Sequence, residues 1–191
     1  MSQDPGKCVI VSAPSGAGKT TLVQALLTLE PRLAFSVSAT SRPRRAHEID
    51  GKDYWFISAE EFQQRIAHDE FVEWEEVYPG QFYGTLKHEL RRIWDSGRHP
   101  VFDVDVVGGL DLKEIFGPGA LALFIAPPSV EALEERLRAR GTETAESLRK
   151  RVDKAAHELT FAPRFDRIVV NDDRDRARNE AYQLVRDFLD R

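Results

Sequence analysis

Residues 8–29, CVIVSAPSGAGKTTLVQALLTL, set an apolar run, a loop punctuated by glycine and a segment of helical period directly one after another. CVIVS reads as a strand, and KTTLVQALLTL carries apolar side chains at Leu22, Leu26 and Leu29, with Pro31 following where a helix has to stop. Three further apolar runs, VFDVDV at 101–106, ALALFIA at 120–126 and RIVVN at 167–171, alternate with helical segments in the same way. This alternation predicts an α/β fold, a parallel sheet covered by helices. A chain of 191 residues is long enough for one well-buried domain with insertions and too short for two full-sized ones.

Composition narrows the function. Hydrophobic residues at 41% and charged residues at 31% are those of a soluble globular protein, and the longest apolar run, ALALFIA, is too short to span a bilayer. No membrane association is expected. The start MSQDPGK has none of the regions of a signal peptide, and the single Cys8 sits in an apolar run, which predicts a reduced, cytoplasmic protein without disulfides. A net charge of -5 argues against broad nucleic-acid binding, yet basic residues cluster in SRPRR at 41–45 and in RLRARG and LRKRV between 136 and 152. Local anion sites on an acidic body are the expectation. The histidines at 47, 68, 88, 99 and 157 have no metal-ligand spacing.

Two stretches depart from the alternation. Residues 35–85 hold the β-rich pieces FSVSAT, DYWFIS and EFVEWEEV around one short helix, whose start is marked by the capping box Ser58-Ala-Glu-Glu61, and read as a small inserted subdomain. Residues 127–158 open with Pro127-Pro128-Ser129, run as a helix to Arg140-Gly141, turn at TET and resume with Leu148, Val152, Ala155 and Leu159 on one face. This arginine-rich helical pair reads as a mobile lid. The remaining residues, 1–34, 86–126 and 159–191, form the core, closed by a helix with Ala177, Ala181, Leu184, Val185 and Phe188 in one stripe.

The loop Ala13-Pro14-Ser15-Gly16-Ala17-Gly18-Lys19-Thr20, continued by Thr21, matches the phosphate-cradling pattern G-x-x-x-x-G-K-[ST] except at its first position. Glycine lets backbone N–H groups converge on phosphate oxygens at the positive end of a helix. In that geometry Lys19 reaches the β and γ phosphates of a nucleoside triphosphate and Thr20 holds Mg²⁺. Ala13 precedes Pro14, which pushes it into an extended conformation of negative φ that alanine accepts, so the loop is expected to survive the substitution. The plainer alternative is a glycine turn that starts a helix and holds no ligand. For the second substrate, Arg42, Arg44 and Arg45, with Tyr54 and Tyr83 in the same subdomain, suit a phosphate-bearing acceptor; the alternative is a solvated basic turn.

SAPSGAGKTTL, FSVSATSRPRRAHEIDGKDYWF, FVEWEEV, FYGT, FDVDVVGG, APPSVEALEERLRARGTETAESLRKRV and IVVNDD, in this order and spacing, give the chain a close resemblance to the guanylate kinase family over nearly its whole length. The resemblance implies a P-loop nucleoside monophosphate kinase fold with a core, a GMP-binding subdomain and a lid. It implies ATP and GMP as ligands, Mg²⁺ as the metal, and the reaction of MgATP with GMP to ADP and GDP, with no obligate protein partner. By position, the GMP-phosphate contacts fall on Arg42, Arg45, Tyr54 and Tyr83, and the guanine contacts on Ser38, Glu73, Thr85 and Asp105. Asp103 falls near the Mg²⁺, through water. Arg136, Arg140 and Arg151 fall on the transferring phosphoryl group, with Arg136 also among the ATP contacts, and Asn171 lies near the adenine.

The residues themselves leave simpler readings open. Glu73 by its period is an outward strand residue, Thr85 a helix N-cap, Arg151 an ion-paired surface arginine and Asn171 the start of a turn. Asp103 and Asp105, two residues apart in an extended run, are expected on one face of the sheet. The chain departs from the family's common form at Val107, where a glutamine often precedes the glycine. Rival functions are a kinase for another phosphorylated small molecule, a P-loop regulatory NTPase, and a guanylate-kinase-like module that binds phosphopeptides without catalysis.

Overall fold

A computed structural model describes residues 6–139 and 145–191. The central strand β1 (Cys8–Ser12) is buried along its whole length, and its period of two sends Val9 and Val11 to one face and Cys8 and Ile10 to the other. Both faces are therefore covered. The sheet order is β2 (Leu33–Phe35), β7 (His99–Val104), β1, β8 (Ala120–Ala126), β9 (Arg167–Val170), with parallel pairing at every step. On one face, Val9 and Val11 pack with Leu22, Val23 and Leu26 of α1 (Lys19–Leu29) and with Ala177, Ala181 and Val185 of α7 (Arg174–Leu189). On the other, Cys8 and Ile10 meet Leu90 of α3 (Lys87–Asp95) and Leu112 and Phe116 of α4 (Val106–Phe116).

A second sheet, of order β4 (Trp55–Phe56), β3 (Ala39–Thr40), β6 (Gln81–Leu86), β5 (Phe71–Tyr78), stands beside the first. Phe35 pairs with Val101 in the first sheet, so the second begins only at Ala39. Its core is aromatic: Phe62 of α2 (Ala59–Ala67) is fully buried, with its ring stacked on Phe71 and Phe82 at centroid distances of 4.3 Å and 5.3 Å. The cap expected at Ser58 is present, its hydroxyl accepting the Glu61 N–H at 3.1 Å. Glu89 ties the two sheets together. Its buried carboxylate accepts the Val37 N–H, between β2 and β3, at 3.1 Å and two bonds from Arg92.

The arginine-rich stretch is two helices, α5 (Val130–Ala139) and α6 (Ala145–Leu159), and Leu133, Leu137 and Ala155 are buried against the first core. Three sequence expectations need correction. Leu29 is 40% exposed, and Val23 takes its place in the buried stripe of α1, because the core lies on a slightly different face of the helix. The strand read through 101–106 ends at Val104: Asp105 is the N-cap of α4, its carboxylate accepting the Gly108 N–H at 2.9 Å. Asp103 and Asp105 therefore do not share a strand face. Asn171 likewise lies just beyond β9, which ends at Val170.

Phe62→Ala removes the ring on which the second sheet is built. It should lower unfolding stability by about 3–5 kcal/mol in urea titration, in line with large-to-small changes at fully buried aromatic positions.

Candidate active site

The loop between β1 and α1 emerges at the C-terminal edge of the parallel sheet, between the ends of β7 and β8. Gly16 and Gly18 hold φ of 94° and 96°, and Gly18 is the N-cap of α1 with no side chain to offer as an acceptor. At Gly18 an added Cβ would also stand 2.4 Å from Asn171 Nδ2. Ala13 is not among the residues of positive φ, as Pro14 predicts; the one non-glycine case among the described residues is Asp69. The backbone at this position therefore makes no demand for a glycine.

This loop forms one wall of a cavity of about 430 Å³, through Ala13, Pro14, Ser15, Gly16, Gly18, Lys19, Thr20 and Thr21. The second sheet forms the opposite wall with Ser38, Tyr54, Glu73, Glu75 and Tyr83, while Asp103 and Asp105 close the floor. Because Val11 pairs with Asp103, the carboxylate at the end of β7 arrives beside the start of α1. There it receives the Lys19 ammonium on Oδ1 and the Thr20 hydroxyl on Oδ2, the latter at 3.1 Å.

Glu73 is not an outward strand residue. It faces the cavity, and its Oε1 accepts the Thr85 hydroxyl at 2.6 Å. Burial pushes its carboxyl up to about 7, against the Thr85 hydrogen bond, which favours the ionised form. Thr85 is fully buried within β6, and the N-cap of α3 is Leu86, so the helix-cap reading of Thr85 fails. Asp105 reaches the same corner while it caps α4, and Gly108, whose Cβ would lie 3.4 Å from Glu73 Oε2, leaves the space open.

Arg42 stands behind the tyrosines rather than in the cavity lining. Its Nε donates to the Tyr83 hydroxyl at 3.1 Å and its guanidinium lies 5.0 Å from the centre of the Tyr54 ring. Both terminal nitrogens sit on Glu48, at 2.7 Å and 2.5 Å. Glu48 carried no signal in the sequence, since nothing in HEID marks it as the partner of an arginine six residues earlier. The Arg45 backbone N–H also donates to Glu48, at 2.8 Å, while the Arg45 side chain is exposed.

Arg136 and Asn171 belong to a second cavity, of about 560 Å³, on the other side of the loop, which Gly16, Gly18 and Thr21 also line. Asn171 Nδ2 donates to the carbonyl of the buried Ala17 at 2.7 Å, and Arg136 donates to the Asn171 carbonyl at 2.8 Å. Asn171 is thus more than a turn residue: it fastens the glycine loop to the end of β9. Arg151 lies partly buried on α6, while Arg140 is outside the described residues. Val107, in the first turn of α4, is 47% exposed. Lys154 and Glu158 of α6 line the first cavity, and no sequence signal singled them out.

The doubly covered parallel sheet with this loop at its edge defines a P-loop nucleotide-binding α/β protein. The guanylate kinase family model matches residues 5–190. A guanylate kinase of Bacteroides fragilis is 50% identical over 96% of this chain and 90% of its own length, and one of Bacteroides thetaiotaomicron 48% identical over 100% and 94%. The crystal structure of guanylate kinase from Anaplasma phagocytophilum superposes with a TM-score of 0.75 at 29% identity, covering 97% of this chain and 87% of that one. The chain belongs to the guanylate kinase family.

The Arg42–Glu48 pair makes a testable contribution to stability. With Arg42 beside it, the Glu48 carboxyl lies at about 2, against an ordinary 4.5. Its stabilising effect is present above the ordinary value and is lost as pH falls through the folded one. Glu48→Gln should cost about 3 kcal/mol at neutral pH. It should also flatten the loss of thermal stability on acidification from about pH 5 to about pH 2, measured by circular dichroism.

Proposed function

We propose that this protein transfers the γ-phosphoryl group of ATP to GMP, giving ADP and GDP, in the cytoplasm. The observation that carries the reading is the single cavity in which a phosphate loop faces the Glu73–Thr85 pair. Guanine presents N1–H and its 2-amino group side by side, a donor pair that one carboxylate accepts, whereas adenine has an acceptor at N1. An AMP would set its N1 acceptor against the Glu73 carboxylate, a mismatch that costs heavily in a desolvated site.

In this reading Ser38, Thr85 and Asp105 complete the base site, with Asp105 acting while it remains the cap of α4. Tyr54, Tyr83, Arg42 and Arg45 take the GMP phosphate, and the Glu48 carboxylate holds the Arg42 fork against the tyrosines in advance. The N–H groups of the loop from Ala13 to Thr21 and the start of α1 hold the ATP phosphates, with Arg136 and Asn171 toward the adenine in the second cavity. Thr20 and Asp103 bring two hard oxygens within 3.1 Å of each other, a donor set suited to Mg²⁺, which keeps several waters and phosphate oxygens as its other ligands. When bound, the ion neutralises charge on the β and γ phosphates.

Lys19 would leave Asp103 for the phosphates, and Arg151 and Arg140 would bring further positive charge from the helical pair as it closes as a lid over the subdomain. No general base is needed, because a phosphate monoester oxygen is already largely ionised at neutral pH. The protein's work is positioning, charge compensation and exclusion of water.

ADP formation from MgATP should occur with GMP and fail with AMP, CMP, UMP or no acceptor; equal turnover with several acceptors would sink the reading. Lys19→Met should lower kcat at least 100-fold, in keeping with loss of an electrostatic contact to the transferring group. Glu73→Gln should weaken kcat/KM for GMP about 10- to 100-fold and leave MgATP affinity nearly intact. Because Glu73 holds its proton up to about 7, KM for GMP should fall as pH rises through that value, and Glu73→Gln should remove this dependence.

A further inference from the structure

Both proposed substrates are polyanions, yet the cavity between the phosphate loop and the second sheet is lined by more carboxylates than cations. Among the described residues, Glu73, Glu75, Asp103, Asp105 and Glu158 face Lys19 and Lys154. Asp103 is matched by Lys19 and Thr20, Glu73 by Thr85, and Asp105 by the Gly108 N–H. Glu75 and Glu158 have no part in the reading of the base or the phosphates. They stand on opposite walls. Glu75 follows Glu73 by two residues on β5 and so shares its face, while Glu158 is buried on α6, close to the backbone of Ser15 in the phosphate loop, which favours its ionised form.

Lys154 is one helical turn before Glu158, 3.7 Å from its carboxylate, with 59% of its side chain exposed at the mouth of the cavity. Its field also bears on Glu75 across the gap, favouring the ionised carboxylate there. We propose that Lys154 is a positioning residue for this reaction: its ammonium offsets the negative charge of Glu158 and, across the gap, of Glu75, and so lets a phosphate-bearing acceptor enter a cavity in which carboxylates outnumber cations.

The consequence is specific. Without the ammonium, two carboxylates at low solvent exposure face the incoming phosphates, and repulsion in such a site is less screened than at an open surface. The loss acts on substrate entry more than on the transfer step, so it belongs in KM. It also depends on Glu75, whose carboxyl is pushed up to about 6 by burial first and then by Asp105. The groups around Glu75 are Asp105 and Asp111 at α4 and Lys154 on α6, with Glu73 beside it on β5 and Glu158 across the cavity. As pH falls, Glu75 takes up its proton and the need for Lys154 shrinks.

This inference rests on the GMP kinase reading, and the test separates the two. Steady-state kinetics with MgATP and GMP would compare the parent chain with Lys154→Met, Lys154→Arg and the double variant Lys154→Met/Glu75→Gln at about pH 8 and about pH 6. Expected are a rise in KM for GMP of about fivefold in Lys154→Met with kcat within about twofold, and near-parent values in Lys154→Arg. The double variant should regain most of the loss, and the ratio of Lys154→Met to parent KM should be smaller at the lower pH. A change in KM under about twofold in Lys154→Met, or a double variant no better than the single one, overturns the inference while parent turnover leaves the kinase reading standing. A parent chain that does not phosphorylate GMP overturns both.

Discussion

The pairing of β1 with β7, with Val11 opposite Asp103 and Ser12 opposite Val104, is the constraint on which the site depends. Parallel strands in fixed register bring the end of β7 next to the loop that leaves β1, so the carboxylate of Asp103 meets Lys19 and Thr20 from a segment more than eighty residues earlier. A shift by one residue would turn Asp103 to the other face of the sheet and separate the three groups. The register is secured by burial. Val9 and Val11 belong to one core and Cys8 and Ile10 to the other, so any slip would strand four apolar side chains.

The second sheet positions its part of the cavity by a different route. Its aromatic core around Phe62 fixes β5 and β6 in antiparallel register, and that pairing sets Glu73 opposite Thr85. One strand face then carries Glu73 and Glu75 into the cavity while Trp74 and Glu76 stay exposed. A carboxylate placed there pays for its desolvation with a raised proton affinity, and the Thr85 hydroxyl recovers part of the cost. In the proposed function the same desolvation would make Glu73 discriminating, since a buried carboxylate facing an acceptor is expensive.

Charge is arranged around the site in matched groups. Glu48 holds Arg42, Asp103 holds Lys19, and Lys154 lies 3.7 Å from Glu158. On a chain of net charge -5, cations held by carboxylates near the cavity are kept in place without attracting other polyanions indiscriminately. The phosphate loop adds positive potential that needs no side chain, from the N–H groups at the start of α1.

Much of this was legible in the sequence because it is local or periodic. The strand, glycine loop and helix at 8–29, the absence of positive φ at Ala13 before Pro14 and the cap at Ser58 are each fixed by residues a few positions apart, and the structure has each of them. The ordered motifs were enough to indicate the guanylate kinase family, and the family model matches nearly the whole chain. The local pattern misled where two structures compete for the same residues: VFDVDV alternates like a strand throughout, but the open N–H groups of α4 claim Asp105 as a cap. Glu73 and Thr85 were ambiguous for the same reason, since a period of two gives the face and not what covers it. Tertiary structure alone decided the Arg42–Glu48 pair, the tie from Asn171 to Ala17 and the arrival of Lys154 and Glu158 at the cavity. These join segments whose proximity depends on how the whole chain packs, and burial, which sets the chemistry of Glu73 and Glu75, exists only once that packing is complete.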